Sequence, residues 1–472
     1  MRYLSTRDPR PEPVAISFAE AFLAGLAEDG GLYVPDQLPV LDTASLRSYA
    51  SVPYALAAAR LISFFAGDCV PGAALRQLAT AAYGRFRHVA VTPLVQLDER
   101  LWLLELFHGP TLAFKDLALQ LVGLLFDTVL AQRHERVTIV GATSGDTGSA
   151  AIEACRDREA IDVFVLYPRD RISEVQRRQM TTVASPNAHA IAIEGTFDDC
   201  QDLVKAPFAD TAFRREANLS AVNSINWARI AAQTVYYVVA GVALGAPMRQ
   251  ISFSVPTGNF GNVYAGHIAR GMGLPIGRLV LGTNRNDILF RYLSTGSMTL
   301  APVVPSLSPS MDIQVSSNFE RLLFELKGRN GAAVTEAIRA FRRTGALPED
   351  NQAWHAARGL FSAYKVDDTQ TMQTIAETYA RTGVLIDPHT AVAVAAARAE
   401  IAEGGVNSPM IALACAHPAK FPEAVERATG IRPVLPPELA DLFERRERII
   451  ALPNDVGAVS QFIRAHARSI GS

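Results

Sequence analysis

The segment HGPTLAFKDLALQ, at residues 108–120, places a single lysine in a turn of small residues between an apolar run and a helical pattern. An amine that attacks a carbonyl group needs a lowered pKa and an ordered side chain. Partial burial beside Phe114, at the start of a helix, would supply both. Lys115 is therefore a candidate Schiff-base lysine, although on this segment alone a lysine with its ammonium in solvent is the more common arrangement.

The loop GATSGDTGSAA, at residues 141–151, follows the strand-like segment RVTIV and opens a helix of small residues. The first turn of a helix has unpaired backbone N–H groups, and its dipole attracts negative charge. Hydroxyl donors at Thr143, Ser144 and Thr147 add to this anion site. Because the loop lacks the glycine patterns of dinucleotide and nucleoside-triphosphate sites, a carboxylate is the favoured anion.

A second loop, PTGNFGN at residues 256–262, has the same arrangement, with the strand-like ISFSV before it and a helical pattern after it. Gly258 and Gly261 allow a concave backbone nest, and side-chain donors surround it at Thr257, Asn259 and Asn262. On its own such a turn is more often a plain connection between strand and helix. Beside a reactive lysine and a carboxylate loop it predicts a phosphate site, and these three parts together suit pyridoxal phosphate.

Short apolar runs rich in β-branched residues alternate with helical stretches from residue 101 onward. This alternation predicts an α/β protein, with parallel sheets covered by helices on both faces. Helical spacing earlier in the chain predicts a helical N-terminal unit. With 472 residues, of which 49% are hydrophobic, the chain can form several domains. We expect an N-terminal domain at residues 1–95 and a large domain in two segments, 96–135 and 240–431. We also expect a small mobile domain at residues 136–239 and a C-terminal extension at residues 432–472.

The composition argues against several functions and partners. The formal net charge is −2, with 45 basic and 47 acidic residues, which gives no positive surface for nucleic acid. Prolines and charges interrupt the N-terminus, so it predicts neither a secretory signal nor a membrane anchor, and we expect a cytoplasmic protein. We also expect a monomer or a weak homodimer. Dispersed cysteines predict reduced thiols rather than a disulfide or a metal site, at Cys69, Cys155, Cys200 and Cys415.

Seven blocks closely resemble the threonine synthases, a family of fold-type II pyridoxal-phosphate enzymes; in chain order they are HGPTLAFKD, GATSGDTGSAA, NSINWARI, PTGNFGN, SPSMDIQVSSNFERLLFEL, DPHTAVA and AHPAKF. The N-terminal segment GLAEDGGLYVP resembles the same family, so the likeness covers nearly the whole chain. It implies a fold like that of the tryptophan synthase β subunit, with two parallel-sheet αβα domains and a helical N-terminal domain. It also implies conversion of O-phospho-L-homoserine and water into L-threonine and phosphate.

Two other functions remain open. An enzyme on the same scaffold could eliminate phosphate but release 2-oxobutyrate, or it could dehydrate serine or threonine. A cofactor-free homologue could instead serve as a binding or regulatory protein. Arg229, to which the resemblance gives a role in binding phosphate, disfavours a simple dehydratase. The presence of Lys115 and both glycine loops disfavours the cofactor-free protein.

The resemblance implies roles residue by residue. Lys115 would hold the cofactor covalently and, once released by the substrate, would carry protons as general base and acid. The cofactor phosphate would be bound by Thr257, Gly258, Asn259, Phe260, Gly261 and Asn262. The substrate carboxylate would be held by Ser144 and Thr147, with Thr143 as a further donor. The substrate phosphate would be held by Asn223, Ser224 and Arg229.

Two positions depart from the usual pattern of fold-type II enzymes. Asp146 lies where many of them have an asparagine facing the pyridine 3-hydroxyl group; a carboxylate there would need a shared proton or another cation, or it would instead cap the following helix. Cys415 lies where a hydroxyl group usually faces the pyridine nitrogen, or it is a small buried residue. A neutral partner at that nitrogen favours elimination over transamination. Further cleft candidates, outside the catalytic set, are His389, Thr390, His417 and Lys420.

Overall fold

The computed structural model describes residues 1–220 and 224–470. Its strands are, in chain order, β1 (Arg2–Ser5), β2 (Ile16–Ser17), β3 (Tyr33–Pro35), β4 (Leu94–Gln96), β5 (Leu101–Glu105), β6 (Val137–Ala142), β7 (Ile161–Pro168), β8 (Ala188–Ile193), β9 (Leu219–Ser220), β10 (Ile251–Pro256), β11 (Ile276–Thr283), β12 (Phe361–Lys365), β13 (Met410–Ala414) and β14 (Ile450–Leu452).

Its α-helices are, in chain order, α1 (Phe18–Ala24), α2 (Thr43–Arg47), α3 (Tyr54–Ala66), α4 (Gly72–Tyr83), α5 (Lys115–Arg133), α6 (Asp146–Cys155), α7 (Glu174–Thr181), α8 (Phe197–Ala209), α9 (Thr211–Glu216), α10 (Trp227–Ala243), α11 (Gly261–Gly271), α12 (Ile288–Thr295), α13 (Phe319–Leu326), α14 (Gly331–Thr344), α15 (Asn351–Arg358), α16 (Asp368–Thr382), α17 (Pro388–Ala402), α18 (Pro422–Thr429) and α19 (Val456–His466). Short 3-10 turns lie at Gly67–Cys69, Pro309–Met311, Pro418–Lys420 and Pro437–Leu439.

A six-stranded sheet in the order β12-β11-β10-β13-β5-β4 forms the larger core. Its neighbouring strands are parallel, apart from the antiparallel edge pair β4 and β5. The central strands are buried on both faces, which explains continuous apolar sequences such as MIALA in β13. The alanine-rich helix α17 lies across this sheet. Gly282 of β11 permits that close approach, because a Cβ there would lie 2.9 Å from Val392 of the helix.

A second sheet is fully parallel and has the strand order β14-β8-β7-β6-β9. Its edge strand β14 comes from the C-terminal tail and pairs with β8. Helix α19 of the same tail packs on the sheet through Val459 and Ile463, both fully buried. The segment expected to form a separate C-terminal extension therefore completes the smaller sheet, whose edge and face it covers.

The N-terminal unit contains a small antiparallel sheet, β2-β1-β3, beside the expected helices. Helix α3 packs on α10, and α4 packs on α5. Arg7 forms a nearly buried ion pair with Glu320 of α13, in which Nη2 lies 2.6 Å from Oε2. The unit is thus fixed to the larger domain. Helix α10 also packs on α5 and α11, although its residues fall within the range expected for the small domain.

The parallel sheets and their covering helices confirm the predicted α/β architecture. Within residues 1–220 and 224–470, no helix is both long and apolar enough to cross a membrane. The four cysteines are free thiols. Across the same described residues, histidine, cysteine and acidic side chains form no group of three or more that could hold a metal ion.

Candidate active site

Lys115 is the first residue of α5, in the connection that follows β5. That connection runs against the segment after β13: the Phe114 N–H donates to the Cys415 carbonyl oxygen (2.8 Å), and Ala113 pairs with Ala416. The carboxyl ends of two adjacent parallel strands therefore fix the lysine. Its side chain is only 9% exposed, and Nζ lies 4.9 Å from the centroid of the Phe114 ring.

The surroundings of Lys115 favour its neutral amine. Burial lowers the pKa of Lys115 below the ordinary lysine value. The Asp146 carboxylate, with Oδ2 3.3 Å from Nζ, opposes this effect on the pKa. The positive charges of Lys420 and Arg229 act with burial and lower the pKa further. A neutral amine is the form that attacks a carbonyl carbon or accepts a proton.

Asp146, the first residue of α6, brings the connections of both sheets together. Its Oδ1 is 2.9 Å from both Lys420 Nζ and Gln176 Nε2. Its Oδ2 is 3.3 Å from both Lys115 Nζ and Ser310 Oγ. Burial opposes ionisation, but the two lysines, Lys420 first, outweigh it and hold the pKa of Asp146 well below its usual range. The additional cation that a carboxylate at this position requires is therefore present, and Asp146 is not the N-cap of α6.

The loop after β6 takes its shape from Thr143. Its Oγ1 accepts hydrogen bonds from the N–H groups of Gly145 (2.9 Å) and Gly148 (2.8 Å). Gly145 has a φ of 131°, which residues with a side chain rarely adopt. Thr143 is buried, whereas Ser144 and Thr147 are partly exposed, so these two hydroxyl groups are the ones that face the open side of the loop.

The loop after β10 makes a concave turn at Phe260, the N-cap of α11. This residue has a φ of 62° and a ψ of −1°, and its left-handed conformation turns the N–H groups of the first helical turn toward one point. Its ring packs against Phe319 and Phe361. Gly258 has no room for a side chain, because a Cβ would lie 3.0 Å from the Ser310 carbonyl oxygen. The turn therefore presents backbone N–H donors to an anion.

Neighbouring contacts hold this loop in place. The Thr257 N–H donates to the Gly282 carbonyl oxygen (2.8 Å), and the Thr257 hydroxyl donates to the Val255 carbonyl oxygen (2.7 Å). The Asn259 carbonyl oxygen accepts from both the N–H (3.1 Å) and Nδ2 (2.9 Å) of Asn318. Gly261 begins α11. The side chain of Thr257 is thus already engaged within the loop.

Asn262 and Cys415 lie side by side at the buried end of the site. The amide oxygen of Asn262 accepts hydrogen bonds from the hydroxyl groups of Tyr236 (2.6 Å) and Tyr237 (2.9 Å). Its Nδ2 then points to Cys415 Sγ at 3.8 Å. This leaves the backbone N–H of Asn262, rather than its side chain, for a phosphate. Burial raises the pKa of the Cys415 thiol, so it remains neutral.

Arg229, near the start of α10, is a buried guanidinium. Its Nε and Nη1 have no hydrogen-bond partner among the described residues. Burial lowers the pKa of Arg229 to about 10, which still leaves it charged at neutral pH. A buried charge with free donors indicates a site for an anion. Ser224 is partly exposed and its carbonyl oxygen accepts from Asn318 Nδ2 (3.1 Å), while Asn223 lies outside the described residues.

The structure places the cleft candidate Lys420 at Asp146, and it adds two side chains that the sequence did not assign to the site, Gln176 and Ser310. His389 positions the last of these, since its Nε2 accepts from the Ser310 N–H (3.3 Å) while Nδ1 contacts Asp387 Oδ2 (2.7 Å). The block SPSMDI and the place of AHPAKF after a late strand were the available signals. Neither shows which side chain reaches Asp146.

The chain thus combines two parallel sheets with a buried lysine of lowered pKa, a concave turn of backbone donors and a neutral thiol, all after the carboxyl ends of strands. These residues fit pyridoxal phosphate: the lysine fits its aldehyde and the turn fits its phosphate. The fold and site therefore define a pyridoxal-phosphate-dependent enzyme. A family profile described as "Pyridoxal-phosphate dependent enzyme" matches residues 85–415.

Two further profiles specify the family. "Threonine synthase N terminus" matches residues 2–83, and "Threonine synthase, C-terminal" matches residues 390–463. A threonine synthase of Pseudomonas aeruginosa is 55% identical over 467 residues, which cover 99% of this chain and 98% of that protein. One from Saccharomyces cerevisiae is 41% identical and covers 95% and 94% of the two chains. The chain belongs to the threonine synthase family.

Solved structures agree. The pyridoxal-phosphate-bound threonine synthase from Brucella melitensis superposes with a TM-score of 0.95 at 49% identity, covering 99% of this chain and 100% of that one. The yeast threonine synthase gives 0.92 at 39% identity, covering 98% of each chain. The predicted family, fold class, enzyme class and cofactor are confirmed.

Proposed function

We propose that this enzyme converts O-phospho-L-homoserine and water into L-threonine and phosphate, with Lys115 as the residue that binds the cofactor and transfers protons. Membership of the threonine synthase family supports the reaction. The observation that carries the assignment to this site is Arg229: a buried guanidinium with two free donors in the described structure, close enough to Lys115 to lower the pKa of that lysine.

An anionic substrate group would complete this arginine. The phosphate of O-phosphohomoserine carries the charge and the acceptor oxygens that the Arg229 guanidinium lacks. Serine or threonine, the substrates of a dehydratase, bring no such group and would leave the guanidinium uncompensated. The site therefore favours a phosphorylated substrate over a simple hydroxy amino acid.

The bound cofactor supplies an electron-withdrawing ring that stabilises negative charge at the substrate α-carbon. With cofactor and substrate bound, the neutral amine of Lys115 would accept the proton from the substrate Cα. The same amine carries the further protons needed as the γ-phosphate leaves and water adds at Cβ. Its position at the start of α5, pinned by the segment after β13, keeps it beside these atoms throughout.

Other groups bind and orient. We assign the substrate carboxylate to Ser144, Thr147 and the backbone N–H groups of their loop, which Thr143 shapes. The cofactor phosphate is assigned to the turn at residues 257–262, through the backbone N–H groups that follow Thr257, because the Thr257 N–H already donates to Gly282. We assign Cys415, a neutral thiol, to the ring nitrogen, which it would leave unprotonated; this would suit elimination rather than transamination.

Lys115, Asp146 and Cys415 are already buried, so the site must open to admit substrate and then close again to exclude water. We further propose that the smaller sheet moves as a unit in this opening and closing. For the domains we propose the ranges 136–239 (small) and 96–135 with 240–431 (large), except that helix α10 packs with the large one and the tail at 432–472 joins the small sheet. We also propose a cytoplasmic protein that is a monomer or a weak homodimer.

Product analysis tests the function. Purified holoenzyme is incubated with O-phosphohomoserine, and threonine, 2-oxobutyrate and phosphate are measured in the same samples. Threonine and phosphate in equal amounts are expected. Phosphate with 2-oxobutyrate in place of threonine would identify a phospholyase instead. If the enzyme held its cofactor but formed neither threonine nor 2-oxobutyrate, the proposed substrate would be contradicted.

A further inference from the structure

Lysine is rare in this chain. Of 45 basic residues only five are lysines: Lys115, Lys205, Lys327, Lys365 and Lys420. Three of them form ion pairs with aspartates outside the site. The other two are buried and contact the same carboxylate, one on each oxygen of Asp146. Arginine supplies most of the basic charge of the chain, so two lysines at one buried carboxylate form a specific arrangement.

Lys420 is the more enclosed of the two, with no exposed surface. It ends the turn Pro418–Lys420, after β13, and its Nζ lies 2.9 Å from Asp146 Oδ1 and 2.7 Å from the Thr111 carbonyl oxygen. Thr111 lies four residues before Lys115. Lys420 therefore connects the segment that carries the reactive lysine to the carboxylate of the other sheet.

The charges at this point determine which form of Lys115 is stable. A carboxylate and an amine that are buried alone together would form an ion pair, and Lys115 would then be an ammonium ion. With Lys420 present, the charge of Asp146 is already balanced. The titratable groups whose charges act on Lys115 are Asp146, Lys420, Arg229 and Cys415, and that of His389 acts on Asp146.

We propose that Lys420 is a positioning residue for the reaction: it neutralises Asp146, so that Lys115 remains an uncharged amine. The inference rests on the proposed function in taking Lys115 as the reactive amine. Without Lys420, the Asp146 carboxylate would hold the proton on Lys115.

Lysine NMR tests this directly, because five lysines give at most five signals. The full-length protein is labelled with 13C at lysine Cε, its cofactor is removed with hydroxylamine, and the Lys115 signal, assigned by its loss in Lys115→Ala, is followed against pH. Lys420→Met is expected to raise the Lys115 pKa by about one unit or more. Asp146→Asn is expected to lower it. The double variant, which removes both charges, should return it to near the wild-type value.

The matched control is Lys205→Met, the same substitution at an exposed lysine, which should leave the Lys115 pKa unchanged. If Lys420→Met does not fold, Asp146→Asn and the double variant still form the test, since the double variant must raise the pKa relative to Asp146→Asn. A Lys115 pKa that is unchanged or lower without Lys420 would overturn the proposal.

Holoenzyme supplies a second readout. In Lys420→Met, the pH at which the visible absorption band of the bound cofactor titrates should move up by about one unit or more, because an uncompensated carboxylate favours the protonated form. An unmoved band in a variant that retains cofactor would overturn the proposal. These measurements do not depend on the product formed. If Lys420→Met shifted the Lys115 pKa but the wild-type enzyme made no threonine, the proposed function would be contradicted and the role of Lys420 would stand.

Discussion

Replacing Arg229 by methionine should stabilise the resting protein and impair catalysis. The substitution keeps a side chain of similar length but removes a buried charge with two unpaired nitrogens in the described structure. An unpaired buried polar group costs about 1–3 kcal/mol, so the free energy of unfolding should rise by about that amount in Arg229→Met when no anion is bound.

The catalytic loss follows from the same two nitrogens. Hydrogen bonds to charged groups contribute about 1.5–3 kcal/mol each, so two bonds to a substrate phosphate amount to about 3–6 kcal/mol. Because about 1.4 kcal/mol corresponds to tenfold, kcat/KM for O-phosphohomoserine should fall by about 10²- to 10⁴-fold. Inorganic phosphate should raise the melting temperature of the wild type and not that of the variant.

Arg321 provides the matched control. It is also fully buried, and burial lowers its pKa to about 10, but its guanidinium donates to the carbonyl oxygens of Tyr33 (3.0 Å) and Ile225 (2.6 Å) and contacts Asn318. Arg321→Met should therefore destabilise the protein. Chemical denaturation with steady-state kinetics distinguishes the two. If Arg229→Met destabilised the protein as Arg321→Met does, or left kcat/KM within tenfold of wild type, Arg229 would be a structural residue and the reasoning would fail.

Three further outcomes are expected. Lys115→Ala should abolish turnover while circular dichroism and the melting temperature show an intact fold; substantial turnover would remove the assigned role. Turnover that requires the neutral amine should fall as the pH drops through the Lys115 pKa, and because burial lowers that pKa, this fall should occur below the ordinary lysine value of about 10.4; a pH–rate profile checks it. Cys415→Ser should retain most activity. Cys415→Asp would favour a protonated ring nitrogen, so this variant should lose threonine formation and gain transamination. If both variants formed the same products, residue 415 would not face the ring nitrogen.

The parts of the site that could be predicted from sequence are local ones. Lys115 and the loops after β6 and β10 each lie where a strand, a turn and the start of a helix follow one another closely in the chain. This local pattern can be recognised in the amino-acid sequence. The parallel sheets were predictable for the same reason. The resemblance to the threonine synthases then supplied the cofactor and substrate, which no spacing of residues specifies.

Long-range contacts could not be predicted in this way. Lys420, Asp146 and Thr111 are far apart in the chain and meet only because strands of two sheets direct their connections to one place. The direction of the Asn262 side chain depends on two tyrosines of α10. Strand β14 has three residues in a tail of mixed polarity, and only its pairing with β8 reveals it. The strands of the N-terminal sheet are two to four residues long, too short to show a period.

The attachment of the cofactor tests the central claim most directly. Holoenzyme is reduced with borohydride, digested and analysed by mass spectrometry, and with five lysines in the chain the modified peptide is readily assigned. The phosphopyridoxyl group is expected on the peptide that contains Lys115. Its presence on the Lys420 peptide instead, or its absence from both in a protein that binds the cofactor, would contradict the account.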